Sequence, residues 1–253
     1  MPLTVHQFPC LSDNYGFLAH DEATGKTACV DTPEAGPILA ALKAKGWTLD
    51  LILNTHWHPD HAGGNAEIVA ATGATVVGPA EVTKLTPIDR EVKGGDTVML
   101  GETRFEVLES GGHTLGHIAY FDAADRIAFV GDTLFALGCG RLFEGTAEQM
   151  WTSLQRLAAL PDDTTVYCAH EYTASNARFA LSVDDAPALK ARAAEIFAMR
   201  ERGEPTVPTT IGLEKATNPF LRAPALAGRV GAAGQPDHKA FGAVRAAKDA
   251  FKG

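Results

Sequence analysis

Six residues, Leu49–Asn54 (LDLILN), run straight into three histidines and an aspartate, THWHPDH at 55–61. The run is too short for a helix and suits a strand buried on both faces. The segment after it is dense in metal donors: His56, His58, Asp60 and His61. Side-chain direction in an extended segment repeats every two residues, so His56 and His58 point to one side. Imidazole suits zinc and iron, and a carboxylate adds a hard anionic ligand. Asp60 and His61, adjacent in a turn after Pro59, point elsewhere and can serve a second ion. Gly63-Gly64 then lets the backbone turn tightly into the next helix. A solvent-exposed polar loop is the alternative, and the recurrence of histidines at strand ends weighs against it.

One loop cannot complete such a site. Further donors stand at the ends of other short strands: His113 in GGHTLGH (111–117), Asp132 in VGDTLF (130–135) and His170 in VYCAHEY (166–172). Loops at strand ends cluster into sites. His117, directly before a strand, is read as hydrogen-bonding a ligand or the backbone rather than as a ligand itself. His6, His20 and His238 have no such context. Two ions about 3.5–4 Å apart and bridged by a carboxylate form a hydrolytic design. Asp132 is the candidate bridge, with His56, His58 and His113 on one ion and Asp60, His61 and His170 on the other. A water between the ions loses a proton near neutral pH and becomes the nucleophile, with Asp60 and Asp132 the carboxylates at the reacting centre. No G-x-S-x-G elbow offers a rival nucleophile.

Around these motifs the first half reads as short strands: Leu3–Phe8, Tyr15–His20, Thr27–Asp31, Ala74–Val77, a hairpin over Gly95–Ser110, and Ile118–Phe121 with Ile127–Val130. Helices are predicted over Pro37–Gly46 and Asn65–Thr72. After Thr146 the spacing predicts helices over Ala147–Leu160, Thr173–Leu181, Ala186–Arg202 and Lys239–Phe251, with a strand at Thr165–Cys168. At 253 residues, 45% apolar and 21% charged, the composition excludes a disordered or collagenous chain. The length allows one large domain, or one with a small appendage.

The net charge of −9 argues against a nucleic-acid partner held by broad electrostatics. It is unevenly spread: residues 222–253 carry +4 and the first 221 carry −13, so a basic tail on an acidic body could hold a small anion. No apolar stretch is long enough to span a membrane. The opening MPLTVHQFPCLSDN reaches polar residues at once, and Cys10, Cys29, Cys139 and Cys168 form no CxxC pair. These features predict a cytoplasmic protein with reduced thiols.

The series His56/His58/Asp60/His61, His113, Asp132, His170 resembles the signature of the metallo-β-lactamase superfamily, H-x-H-x-D-H followed by a distant His, Asp and His. Within it the chain is similar to the glyoxalase II (hydroxyacylglutathione hydrolase) family, through THWHPDH, GGHTLGH, VGDTLFALGCGRLFEGT (130–146), VYCAHEYT (166–173), NPFLR (218–222) and VRAAKDAFK (244–252). The resemblance implies an α/β protein, an αββα sandwich at 1–172 with a mainly helical substrate-binding domain at 173–253. It implies two divalent ions, zinc first, with iron or manganese also fitting these donors. It implies hydrolysis of S-(2-hydroxyacyl)glutathione, such as S-lactoylglutathione, to glutathione and a 2-hydroxy acid, as in methylglyoxal degradation. By the same resemblance Arg141, Phe143, Tyr172, Arg245 and Lys248 hold glutathione; a monomer is the expected state. Arg141 and Phe143 stand where lysine and tyrosine are common in the family, and the missing hydroxyl puts exclusive glutathione specificity in question.

Two other readings stay open at this point, and a third does not. A mononuclear iron persulfide dioxygenase would take up oxygen with glutathione persulfide, and a lactonase of the same fold would be indifferent to loss of Arg245 and Lys248. A non-catalytic binding module would carry a degenerate donor set, which this chain does not. Cys139 and Cys168 lie near the site and are read as unligated, and Trp57 as packing beneath the histidine loop. Phe143 has ordinary core packing as its alternative.

Overall fold

Short strands parted by Asp- and Gly-rich turns build the first of two units in the computed structural model, which describes residues 2–253. That unit takes the chain up to Ser110 together with Gly116–Gly131; the second takes Gly111–Leu115 and Asp132–Gly253. In the first unit β1 (Leu3–Cys10), β2 (Asn14–Asp21) and β3 (Lys26–Val30) run antiparallel. β4 (Leu51–Leu53), β5 (Thr75–Gly78) and β6 (Arg90–Glu91) extend the same sheet in parallel. Parallel neighbours need crossovers: helices α1 (Ala35–Lys45) and α3 (Asn65–Thr72) serve the first two, and a 3-10 turn at Ala80–Lys84 lies in the third. Between them lies α2 (Pro59–Ala62). β7 (Thr97–Leu100), β8 (Thr103–Glu109), β9 (Ile118–Asp122) and β10 (Ile127–Gly131) form an antiparallel meander.

The apolar run behaves as its composition dictates. Ile52 and Leu53 on β4 are fully buried, with paired strands on both sides. Ile38 and Leu42 from α1 and Ile68 from α3 pack with Leu18, Ile52 and Val76. Each such side chain contributes about 1.5–3 kcal/mol on burial. α1 stops at Gly46, whose left-handed backbone (φ 68°) lets its N–H reach the Lys43 carbonyl.

In the second unit a two-stranded hairpin, β11 (Leu134–Phe135) and β12 (Gly138–Cys139), precedes α4 (Ala147–Ala158). β13 (Thr165–Cys168) pairs antiparallel with β14 (Thr209–Thr210). Five more helices fill the unit: α5 (Thr173–Val183), α6 (Pro187–Glu201), α7 (Ile211–Thr217), α8 (Ala223–Leu226) and α9 (Asp237–Ala250). Leu137 from the hairpin packs with Ala177, Ala180, Leu189, Ala193 and Ile196 from α5 and α6.

Every strand and helix read from the sequence has a counterpart, with ends moved by a few residues. One segment differs in kind. Residues 59–62, expected as a turn, form a single helical turn with Pro59 at its first position, where the missing N–H costs nothing. Among the described residues no helix is long and apolar enough to cross a membrane.

Candidate metal centre

The backbone past β4 is pinned before it reaches the first histidine. Buried Asp31 accepts the Thr55 N–H on Oδ1 (2.7 Å) and the Thr55 hydroxyl on Oδ2 (2.8 Å). The same Oδ2 lies 2.8 Å from Nδ1 of His61. A carboxylate can only accept, so His61 carries its proton on Nδ1 and presents the Nε2 lone pair. The Thr55 hydroxyl, having donated to Asp31, accepts from Nδ1 of His56 at 3.0 Å and fixes the same tautomer there. Asn54 donates to the His61 carbonyl (3.0 Å), and that carbonyl also takes the Thr32 N–H (2.7 Å).

Two donor pairs result. Nε2 of His56 lies 3.1 Å from Nδ1 of His58, and Nε2 of His61 lies 3.5 Å from Oδ2 of Asp60. Alternation along the extended segment delivers the first pair, and the α2 turn delivers the second. His117 stacks on His56 at 4.6 Å with its Nδ1 2.8 Å from Ser110 Oγ, so it meets the ligand by ring contact and bonds a serine hydroxyl instead of the expected ligand or backbone. Trp57 meets His58 edge-on at 4.9 Å and carries Lys84 over its ring.

The second unit supplies two more pairs, both through Asp132. Its Oδ2 lies 3.3 Å from Nε2 of His113 and its Oδ1 3.4 Å from Nε2 of His170. The Arg141 carbonyl, 2.8 Å from Nδ1 of His113, sets that ring's tautomer. Charge-assisted N–H···O⁻ bonds run about 2.7–2.9 Å. Donors 2.0–2.1 Å from one tetrahedral ion stand about 3.3–3.4 Å apart. The His–Asp separations match the edge of such a tetrahedron better than a hydrogen bond, so the donor set fits bound ions. Among the described residues, the side chains grouped so that they could hold a metal ion are His56, His58, Asp60, His61, His113, Asp132 and His170. The two nearby cysteines stay out: burial pushes the Cys139 and Cys168 thiols up to about 11 and about 12.

A cationic patch also belongs to the second unit. Arg245 and Lys248 lie one turn apart on α9. Arg245 is buried against Phe220, donating to the Cys139 carbonyl (2.9 Å) and to Asp249 (2.8 Å). Lys248 donates to Ser175 Oγ (3.2 Å) and lies near the rings of Phe179 and Phe251. Burial, then the charges of Arg245 and Arg141, lower its pKa to about 8. Tyr172 stacks on His170 at 4.6 Å, nearly parallel. Phe143 meets His113 edge-on at 5.2 Å and is 62% exposed, which rules out ordinary core packing.

Sequence reasoning missed Asp31 and the Arg141 carbonyl as the groups that orient the ligand rings. The one signal for Asp31 was a lone carboxylate directly after the apolar end of a strand, ACV at 28–30.

Two family models match the chain: the metallo-beta-lactamase superfamily over residues 22–170 and the hydroxyacylglutathione hydrolase C-terminus over 171–251. A hydroxyacylglutathione hydrolase of Erythrobacter litoralis is 59% identical over 98% of this chain and 100% of its own length. Another, of Maricaulis maris, is 55% identical over 98% and 99%. Among solved structures, ETHE1 from Myxococcus xanthus superposes with a TM-score of 0.67 at 28% identity, covering 98% of this chain and 97% of its own. TTHA1623 in a di-iron-bound form gives 0.62 at 26% identity, covering 86% and 100%.

Proposed function

The chain belongs to the hydroxyacylglutathione hydrolase family of the metallo-β-lactamase superfamily, and from that premise we propose that its seven donors form one two-ion centre. It is a thioester hydrolase of the metallo-β-lactamase fold with a C-terminal helical region, and its cofactors are divalent metal ions. The substrate is S-(2-hydroxyacyl)glutathione, cleaved to glutathione and a 2-hydroxy acid.

The carrying observation is Asp132. Its two oxygens face two different histidines at the spacing of co-ligands, and the THWHPDH segment offers two further pairs to match. We assign His56, His58, His113 and Asp132 Oδ2 to one ion. Asp60, His61, His170 and Asp132 Oδ1 go to the other. Zinc is the first assignment, and iron or manganese suits the same donors. Ions bound there supply Lewis acidity toward the thioester carbonyl and a water that deprotonates near neutral pH.

The chain's own residues do the rest. Asp31, Thr55 and the Arg141 carbonyl set the Nδ1–H tautomer of three imidazoles, so that Nε2 is the atom each would offer to an ion. Arg141, Arg245 and Lys248 are cations suited to glutathione's two carboxylates. Phe143 and Tyr172 offer ring surfaces beside His113 and His170, and Phe143 lacks a hydroxyl whose hydrogen bond would contribute about 0.5–1.5 kcal/mol. In this reading residues 1–172 hold the metals, and 173–253 form the helical part that brings Arg245 and Lys248. The protein works as a monomer in the cytoplasm, where its four buried cysteines remain thiols.

The test is to count metals per chain and assay S-lactoylglutathione on one preparation, with Asp132→Ala beside it. We expect about two ions, cleavage lost on chelation, and an Asp132→Ala rate at least about 100-fold lower, the upper cost of disturbing even an orienting partner. Near-normal turnover of that variant with both ions retained would overturn the mechanism. A single iron with oxygen uptake on glutathione persulfide would replace the reaction by a dioxygenation.

A further inference from the structure

The hairpin formed by β11 and β12 has only two residues in each strand, so its own ladder satisfies little of its backbone. Helix side chains satisfy four more groups. Asn218 Nδ2 donates to the carbonyls of Phe135 (3.1 Å) and Gly138 (3.0 Å), and Asn176 Nδ2 to that of Ala136 (3.1 Å). The N–H of Leu137 donates to Oε2 of Glu214 at 2.9 Å. Leu137 has a φ of 56°, a backbone that a leucine adopts only when its surroundings hold it there.

Glu214 is fully buried on α7 and accepts four donors. Oε2 takes Leu137 N–H and Asn218 Nδ2 (2.9 Å), while Oε1 takes Arg192 Nη2 and the Thr209 hydroxyl (2.6 Å). Arg192 on α6 is itself buried and also donates to the Thr217 hydroxyl (2.6 Å). A buried ion pair of this kind is poor evidence for stability, since apolar residues of equal volume serve as well or better. Its distinctive property is fixed geometry. The hairpin it grips is flanked by Asp132 two residues before β11 and Arg141 two residues after β12, closed by the Gly140 N–H on the Thr133 carbonyl.

We propose that Glu214, clamped by Arg192 and Asn218, is a positioning residue that sets the metal-bridging carboxylate of Asp132, the tautomer of His113 and the reach of Arg141 by seating this one hairpin. The inference rests on the two-ion reading above. The clamp touches neither ion nor substrate. It acts through backbone, from Leu137, Phe135 and Gly138 outward to both ends of the turn.

Glu214→Gln tests it, because the amide keeps the volume but directs an NH₂ at groups that are already donors. Thr217→Val is the milder partner, removing one hydroxyl from Arg192. Readouts are far-UV circular dichroism, metal retention against a chelator, and the visible spectrum of the cobalt(II)-substituted protein. We expect folded Glu214→Gln to hold its ions about 10- to 100-fold more weakly, with a shifted cobalt spectrum and Thr217→Val intermediate. Should Glu214→Gln fail to fold, faster metal loss from Thr217→Val supports the proposal and wild-type retention overturns it. A folded Glu214→Gln with only a lower Tm, at unchanged metal retention and spectrum, also overturns it. If the wild type cleaves no glutathione thioester while Glu214→Gln still sheds its ions, positioning stands and the assigned reaction falls.

Discussion

Lys248 is the residue whose chemistry makes the sharpest claim. Its ammonium is disfavoured by burial first, then by Arg245 and Arg141, with Asp249 opposing, and its pKa falls to about 8. Between about 8 and the ordinary lysine value of about 10.5 the unfolded chain keeps a proton that the folded chain has lost, so this group's contribution to stability rises with pH across that window. Binding runs the other way, because the charge that would hold a carboxylate is lost above about pH 8. Calorimetry with S-methylglutathione should therefore show constant affinity near neutrality and about a 3- to 5-fold fall in alkali, the worth of a half-screened ion pair. Lys248→Arg should remove that fall, since guanidinium stays charged. Equal curves for both proteins would separate Lys248 from the substrate. The same scale shows what a sequence hides. The seven residues of the proposed centre could be picked out as candidates because their spacing is local or tied to strand ends. Asp31 was not, because its role exists only through Thr55 and His61, 24 and 30 residues away.

At the level of elements, α4 serves as a seat for the Gly111–His113 turn. Ser153 donates to the Gly111 carbonyl (2.6 Å), and Gly112, at φ 142°, lies so close to α4 that a Cβ there would sit 2.7 Å from Met150 Cα. The helix starts with a reciprocal capping box between Thr146 and Gln149. Two substitutions separate seat from cap. Thr146→Ala should cost about 1 kcal/mol in urea unfolding with kinetics unchanged. Gly112→Ala should cost about 2–3 kcal/mol and also lower metal content, since backbone must shift and His113 shifts with it. Wild-type metal content in Gly112→Ala would show that the seat is loose. α4 was legible from its amphipathic spacing and α1 from helical spacing closed by a glycine, and α3, α5, α6 and α9 were also read as helices. β11, β12, β14 and α8 span two to four residues, too few for any period to register, and α7 is only seven residues long. That blind spot concealed the hairpin on which Asp132 and Arg141 depend.

For the whole molecule the question is what the ions hold together. Each unit has its own apolar core, one around Leu18, Ile52 and Ile68 and the other around Leu137, Leu189 and Ile196. Each is thereby equipped to melt cooperatively alone. The first unit carries His56, His58, Asp60 and His61; the second carries His113, Asp132 and His170. Under the proposed assignment each ion would take two donors from each of these two groups, so bound metal would tie the groups together as well as serve the reaction. A ligand at about 1,000 times its Kd adds about 4 kcal/mol to the folded state. Chelation should therefore lower the Tm in scanning calorimetry and resolve the single transition of the metal-loaded protein into two. Adding zinc should restore the single, higher transition. A metal-free protein that melts in one step at the loaded Tm would mean that the ions tie nothing together, and the assignment of seven ligands to one shared centre would have to be abandoned.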